Sequence, residues 1–585
     1  MNKKKVLVPA LLAMIAAPTT SLAAEDVNKY PEYSNGDNLT ISVHGRYDSG
    51  AGLDEGGAEI LDYDSNTQRV FVVNGADQSL DILTIGKGEG KGLKLHKKIM
   101  LSNIDLGTFQ PGDLTSVSVH PTEPYVAVAI PNKQKTDNGV IAFFTTDGDF
   151  IDYEKAGALP DMVTFTPDGN QLLVANEGEP DDTYSTDPEG SITLMDVSKG
   201  LKNRMVDTID FTSLTEEQID EDVRIYSPGA SHAEDFEPEY IQVTPDGKKA
   251  YVSLQENNAV AELDLVDKEV THIHGLGFKD HSLEGNGIDA SNTSSSINIQ
   301  PAPVLGMHQP DGIALFSMEG ENYVLTPNEG DARDYDGFSE EVRIKDLIAD
   351  PDRDIHLDAS YYEGYSQKEL DQMVEDGLWN DDQLGRLKVT STMGQSKDGS
   401  YQALYSYGSR SFSVYETDDF SRIYDSGNEF ENVTSEMLPE HFNASNDTNE
   451  KKDRSDDKGP EPETATTGVI NGKTYAFIGL ERQCGIMVYN VDEPEQPKFV
   501  TYFTTRDFSA EDGSVKGDSG PEGLKFIAGD QSPTGKPLLL VSHEVTGTTV
   551  AYELSESFPF ASFEPAQGLF STFQSYLKKN VFKHQ

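Results

Sequence analysis

The sequence predicts an all-β protein built as a β-propeller of seven or eight blades, with short helical insertions. Three observations carry this reading. A degenerate unit of short apolar strands recurs along the chain, turn dipeptides fall at matching places in each copy, and helical periodicity is nearly absent between the strands. A solenoid of βα units is disfavoured for the last reason. A set of separate β-sandwiches is the alternative.

In chain order, Lys3, Lys4 and Lys5 precede an apolar stretch and the small-x-small run Ser21-Leu22-Ala23. This is the pattern of a secretory signal peptide, with cleavage expected after Ala23 or alternatively Ala24. The expected organisation is a signal peptide at 1–23, an N-terminal segment at 24–38, the propeller at 39–555 and a tail at 556–585. No later stretch approaches the twenty or so apolar residues of a membrane span. The protein is expected to be exported, periplasmic or secreted, and monomeric.

The clearest repeat, SGPEGLKFIAGDQSPTGKPLLLVSHEVTGTTVAYEL at 519–554, gives the grammar. A Pro-acid pair leads into an apolar strand, a turn, a second strand ending near Glu, and an alternating strand. The same order returns at 159–178, 237–265, 309–330 and 460–490, and more weakly at 59–85, 114–130 and 401–416. That makes eight candidate units.

Insertions interrupt them. Ser213 with Glu216, and Ser366 with Glu369, stand at capping-box spacing and predict two short exposed helices. The polar run NASNDTNEKKDRSDDKG at 443–459 would pass, taken alone, for a disordered linker.

Composition is that of a globular chain, 585 residues with 36% hydrophobic side chains, but the charge is extreme. Lys and Arg number 46 against 101 Asp and Glu, a formal net charge of −55. Nucleic acid is excluded as a partner, because phosphate binding needs a basic footprint. Anionic membrane is disfavoured for the same reason. The single cysteine, Cys484, cannot form an intramolecular disulfide and is expected in the core, with metal ligation as the other option.

In a propeller, the loop entering each innermost strand and the loop joining the second and third strands open on one face. Asp161, Glu239, Asp311, Glu463 and Glu522 hold the entry position. Glu177, Glu256, Glu329, Glu481 and Glu544 end the second strands. So many carboxylates around one mouth repel strongly, unless some are protonated or cations compensate them. Oxygen-only ligands suit hard cations, Ca²⁺ first and Mg²⁺ or Mn²⁺ next. In the stretch NEGDARDYDGFSEE (328–341), Glu329 belongs to the repeat, and Asp331, Arg333, Asp334 and Asp336 are added above the mouth.

Arg333, Arg410 and Arg482 accompany the acids, with His308, His543 and Lys458 at comparable blade positions. Metals with arginines around a water-filled mouth suit phosphate-ester hydrolysis: the metal activates water and the arginines hold phosphoryl oxygens. These three arginines are therefore the candidate catalytic residues, and a small phosphate ester the candidate substrate. The competing account of each is a salt bridge within the acidic ring.

Other motifs fail. GDSGP at 517–521 lacks the second glycine of the trypsin-like nucleophile segment and overlaps the repeated Pro-Glu pair. Aligned on Gly337, the acidic stretch is no EF-hand, since Ala332 and Arg343 would fall at ligand positions.

The motifs AEDFEPEYIQVTPDGKKAYVSLQENNA, TPNEGDARDYDGFSEEVR, FNASNDTNEKKDRSDDKGPEPE, TYAFIGLER and PTGKPLLLVSHEVTGTT resemble those of the choice-of-anchor I family of exported bacterial proteins. That family is itself similar to the mesenchyme-specific cell-surface glycoproteins of biomineralising animals. The resemblance runs from about Leu39 to Leu554 and implies a β-propeller. Members are often labelled alkaline-phosphatase-like and look distantly similar to metal-dependent phytase-like propellers. The resemblance brings no catalytic residue set, and the aspartate-serine-alanine nucleophile motif of common alkaline phosphatases is absent.

Two functions follow as expectations. The first is an exported, metal-dependent phosphoesterase, with calcium as the first choice of metal. The second is a non-catalytic extracellular calcium-binding or matrix-interaction propeller.

Overall fold

A computed structural model describes residues 39–87, 92–351, 353–510 and 513–556. The expected signal peptide, the segment at 24–38 and nearly all of the expected tail lie outside the described residues. Within them the chain forms seven four-stranded antiparallel sheets, each a meander from an inner to an outer strand. The inner strands Leu61–Asp64, Ser116–Val119, Pro160–Phe165, Ile241–Val243, Ala314–Met318, Pro462–Ile470 and Pro521–Ile527 touch one another in that order. The last also touches the first, so the ring closes. The fold is a β-propeller with seven blades, numbered here from the sheet that starts at Leu61.

Closure is made by hydrogen bonds rather than by a disulfide. Blade 7 takes three strands from the end of the described chain and its outermost strand, Leu39–Asp48, from the beginning. That strand pairs antiparallel with Thr548–Glu556, from Leu39↔Glu556 to Asp48↔Thr548. Arg46 adds a fork onto buried Asp518, with Nε 2.8 Å and Nη2 2.6 Å from its carboxylate oxygens.

The eighth candidate repeat is not a separate blade. Residues 401–416 include the third strand of blade 5, Phe412–Glu416, which pairs with Glu321–Pro327. An insertion of more than eighty residues separates the two strands in sequence, so one blade reads as two units.

Between the blades the apolar faces form successive cores. One example joins Leu173, Leu194, Val252 and Leu263 of blades 3 and 4. The insertion has its own core of Ile344, Leu347, Tyr362, Leu387 and Leu404, packed with Val304 and Met307 from the segment that precedes blade 5. It is bounded by the sheet of Phe278–Asp280, Leu305–Met307 and Tyr405–Ser406.

Of the two expected helices, Gln367–Glu375 forms with Ser366 and Glu369 as its capping box. The other shortens to a 3₁₀ turn, Glu216–Gln218, capped by Thr215 and Gln218 rather than by Ser213 and Glu216.

The run at 443–459 is ordered and mostly buried, contrary to its composition. Asn443 Nδ2 donates to Glu431 Oε1 at 2.8 Å, and Arg454 Nε donates to Glu461 Oε1 at 2.7 Å. Paired charges make this burial possible where apolar burial could not.

Candidate metal centre

The Pro-acid pair works through backbone geometry. The inner strands of blades 3, 6 and 7 each lose register just after Pro160, Pro462 and Pro521, so the acid that follows sits in an irregularity at the channel. The residue before the proline has positive φ in four blades: Leu159 (48°), Gln309 (45°), Glu461 (52°) and Gly520 (73°). Three of these four are not glycine, so backbone strain is held at the mouth in several blades.

The entry position then converges. A cavity of about 140 Å³ is lined by Glu59, Thr115, Asp161, Asp311, Glu522 and Glu544, among others. Carboxylate oxygens of Asp311, Glu463 and Glu522 come within 4.8 Å of one another. Those of Glu329, Glu463 and Glu481 do likewise, so Glu463 is common to two triads. Glu239 and Glu256, only 8% and 7% exposed, each keep one oxygen, Oε2, without a hydrogen-bond partner.

The triads differ in their counter-charges. Lys458 Nζ lies 2.9 Å from Glu329 Oε1, 3.1 Å from Glu461 Oε2 and 3.7 Å from Asp331 Oδ1. Arg482 Nε lies 3.1 Å from Glu481 Oε2 and 3.4 Å from Glu461 Oε2. The Glu329–Glu463–Glu481 triad is thus already partly neutralised. Among the described residues no basic side chain pairs with Asp311, Glu463 or Glu522. The same holds for Glu59, Asp161, Glu177, Glu239, Glu256 and Glu544.

Without a cation, such groups keep their protons. Burial is the largest cause throughout, and neighbouring carboxylates add to it. Glu59 and Asp161 are pushed up to about 8, and Glu481 reaches about 8 and Glu237 about 7 even beside Arg482 and Arg333. Glu177, Glu239, Glu256, Glu463 and Glu522 rise well above the ordinary carboxylate range. Asp311 and Glu544 are raised as well.

The three arginines fare differently. Arg410 is buried, and its Nη1 and Nη2 donate to Glu431 Oε1 (2.7 Å), Asp289 O (2.9 Å), Ser455 O (2.9 Å) and Asp457 O (2.7 Å). Arg333 is buried too, donating to Asp235 Oδ1, Asp235 O and Ser227 Oγ at 2.7 Å each, with Glu237 at 3.2 Å. Both guanidinium groups fasten loops to the propeller. Only Arg482, with its side chain 31% exposed, stands beside the ring with surface to offer.

The acidic stretch folds over the mouth. Asp334–Tyr335 and Phe338–Ser339 form a small hairpin whose Tyr335 packs edge-on against Tyr184 from blade 3, at 5.5 Å. Tyr335 OH donates to Glu179 Oε1 at 3.1 Å. The side chain of Asp331 remains 54% exposed.

Of the remaining candidates, His308 is buried with Nδ1 2.7 Å from Ser409 Oγ, and burial holds it neutral. His543 is likewise buried and pushed down to about 4. Cys484 is buried with Sγ 3.1 Å from Ser519 Oγ. That serine donates to Asn446 O at 2.6 Å.

Sequence reasoning did not place Glu59 in the ring. It opens the weak copy at 59–85 at the entry position, and Glu59 N bonds Val73 O as Glu239 N bonds Ser253 O. The signal was there, but Ala58 stands where the five strong copies have proline.

A model of the choice-of-anchor I domain matches residues 59–494, most of the chain. The protein belongs to the choice-of-anchor I family. Its relatives include Gigasin-3a of Magallana gigas, 34% identical over 189 residues, 30% of this chain and 66% of that protein. Another is a mesenchyme-specific cell surface glycoprotein of Strongylocentrotus purpuratus, 26% identical over 273 residues, 44% of this chain and 35% of that protein. This choice-of-anchor I chain thus spans less than two thirds of either relative.

Among solved structures it is similar to Kuenenia stuttgartiensis hydrazine synthase, with TM-score 0.42, 11% identity, 87% of this chain covered and 97% of that one. It is also similar to the Myceliophteria thermophila Cps50 (Swd1) β-propeller domain, with TM-score 0.39, 9% identity and coverage of 87% and 100%. No helix among the described residues of this choice-of-anchor I protein is long and apolar enough to cross a membrane.

Proposed function

We propose that this protein is an extracellular propeller whose channel mouth binds a divalent cation, Ca²⁺ foremost, at Asp311, Glu463 and Glu522. The observation that carries the reading is the contrast between the two triads: one is served by Lys458 and Arg482, the other has no basic partner. A hard cation with several carboxylate oxygens is the counter-charge that fits. Unpartnered Oε2 atoms on Glu239 and Glu256 supply further donors nearby. Membership of a choice-of-anchor family supports a secreted or surface location, as does its similarity to the cell surface glycoprotein of Strongylocentrotus purpuratus.

This favours a cation-binding or matrix-interaction role over phosphate-ester hydrolysis. Arg333 and Arg410 spend their donors on protein acceptors, which leaves Arg482 as the one candidate for a phosphoryl group. The test is a thermal melt of EDTA-treated protein with Ca²⁺ returned. Restored Tm in the wild type, and none in Glu463→Gln, supports the reading; an identical melt with and without Ca²⁺ overturns it. Metal-dependent turnover of a phosphomonoester, lost in Arg482→Ala, would move the assignment to hydrolysis.

A further inference from the structure

A second cluster of ligating side chains lies outside the channel, on the outer edge of blade 4. The strand Glu269–Gly275 is the outermost of its sheet, and His272 and His274, two residues apart, share one face of it. Their ring centroids are 4.6 Å apart. Glu262 on the neighbouring strand is the direct register partner of His272.

A loop supplies the third side. Ile219 bridges Ile273 in parallel, Asp220 N donates to Ile273 O at 3.1 Å, and Asp220 Oδ2 accepts from Gly275 N at 3.1 Å. Two backbone bonds therefore fix Asp220, and its other oxygen, Oδ1, lies 2.8 Å from His272 Nε2.

His274 is oriented from both sides. Its ring stacks on Phe420 at 4.3 Å and 10°, and its Nε2 lies 3.3 Å from Glu262 Oε2. Lys249 Nζ holds the other oxygen of Glu262 at 2.8 Å. Ligand atoms of Asp220, His272 and His274 fall within 4.8 Å of one another. Donors about 2.0–2.2 Å from a tetrahedral zinc lie roughly 3.3–3.6 Å apart, so side-chain rotations that draw the three ligand atoms together by about 1 Å would complete the geometry.

Two separate His–carboxylate pairs would account for each contact singly. They would not require both imidazoles to sit side by side between two carboxylates with both Nε2 atoms turned to them. Nitrogen donors also set this cluster apart from the channel, whose oxygen-only ring suits a hard cation.

We propose that Asp220, His272 and His274 form a surface site for a borderline transition-metal dication, Zn²⁺ foremost, with Glu262 Oε2 as fourth donor. The metal would pin the loop around Asp220 to the blade edge. That loop leads directly to Arg224, whose guanidinium pairs with Glu340 of the insertion over the channel. The site would thus fasten an anchor of that insertion, without depending on the channel cation.

The test is a Zn²⁺ titration by calorimetry under saturating Ca²⁺, on the full chain, in the wild type and in the Glu463→Gln background. One equivalent of Zn²⁺ is expected in both. The His272→Gln/His274→Gln double variant should lose affinity by more than the roughly 10–100-fold that removal of an outer-shell partner causes. A single cooperative melt without zinc shows that the double variant folds. Co²⁺ substitution should give visible absorption bands that disappear in the double variant. Absence of a stoichiometric Zn²⁺ site in the wild type, or unchanged Zn²⁺ affinity in a folded double variant, overturns the proposal.

Discussion

Lys458 Nζ lies 2.9 Å from Glu329 Oε1, joining the long polar connection before blade 6 to the end of the second strand of blade 5. The lysine is buried and also meets Glu461 at 3.1 Å. It acts as a built-in cation in the acidic ring, and the adjacent Asp311–Glu463–Glu522 triad has no such partner.

Removing that charge leaves buried Glu329 uncompensated, while Glu461 keeps Arg454 and Arg482. Lys458→Met is expected to cost about 3–5 kcal/mol, the usual penalty for breaking a buried pair from one side. Ca²⁺ should recover part of this loss, because the second triad then resembles the first. Urea unfolding with EDTA and with Ca²⁺ measures both effects.

The metal-free protein should lose stability as pH rises. Glu59, Asp161 and Glu481, pushed up to about 8, hold protons in the folded state that the unfolded chain releases at the ordinary carboxylate pKa. The folded state thus binds more protons between about pH 4 and 8, and the slope of unfolding free energy with pH is negative there. Tm in EDTA should fall across this window and continue falling until these groups are ionised. Saturating Ca²⁺ should flatten the fall, since the cation replaces the protons. A Tm in EDTA that stays level from pH 5 to pH 9 would contradict the ring's electrostatics.

Glu463→Gln separates charge from packing at the residue common to both triads. The amide keeps the size of the side chain and is neutral without taking up a proton on folding, as the raised Glu463 carboxyl must. Metal-free stability at pH 8 should rise, while the Ca²⁺-induced shift in Tm should disappear. Calorimetric melts read both changes on one variant.

Much of this arrangement was legible in the sequence, because a propeller repeats its grammar. Asp311, Glu463 and Glu522 could be placed at one mouth from the Pro-acid pair alone, and the strands following them formed as expected. What could not be read was which charges face each other. Arg410 follows a repeat-like strand just as Arg482 does, yet its donors go to carbonyls at 289, 455 and 457, more than forty residues away. Glu59 lacked its proline, and the segment at 443–459 has the composition of a linker although its polar groups pair inside the fold. The eighth repeat was a strand of blade 5 cut off by the insertion. Local pattern reports the period of a strand, whereas pairing across long separations is decided by packing.

Arg410→Met tests its anchoring role. The variant leaves Glu431 buried without its cation and three backbone carbonyls without their donors, so a loss of about 3–5 kcal/mol is expected. The connection at 443–459 should become sensitive to protease in the folded protein. Ca²⁺ binding in the channel should persist under folding conditions, because Arg410 touches no ring carboxylate.

The stem of the insertion depends on two glycines that meet backbone to backbone. Gly330, directly after Glu329, has φ of 94°, and a Cβ there would come 2.0 Å from Gly408 N. Gly408 has φ of 65°, and a Cβ on it would come 1.9 Å from Glu329 O. Any side chain must push the two strand extensions apart, and the positive φ adds strain. The displaced atoms belong to Glu329 itself, so the clash reaches the ring as well as the insertion. Gly408→Ala is therefore expected to cost about 4 kcal/mol or more, in the range reserved for backbone clashes and cavities. A control at Gly472, where a Cβ would meet nothing within 4 Å despite a φ of 84°, isolates the conformational part. Gly472→Ala should cost only about 1 kcal/mol. Urea unfolding of the two variants side by side gives the comparison, and equal losses would show that the close approach of the stem contributes nothing.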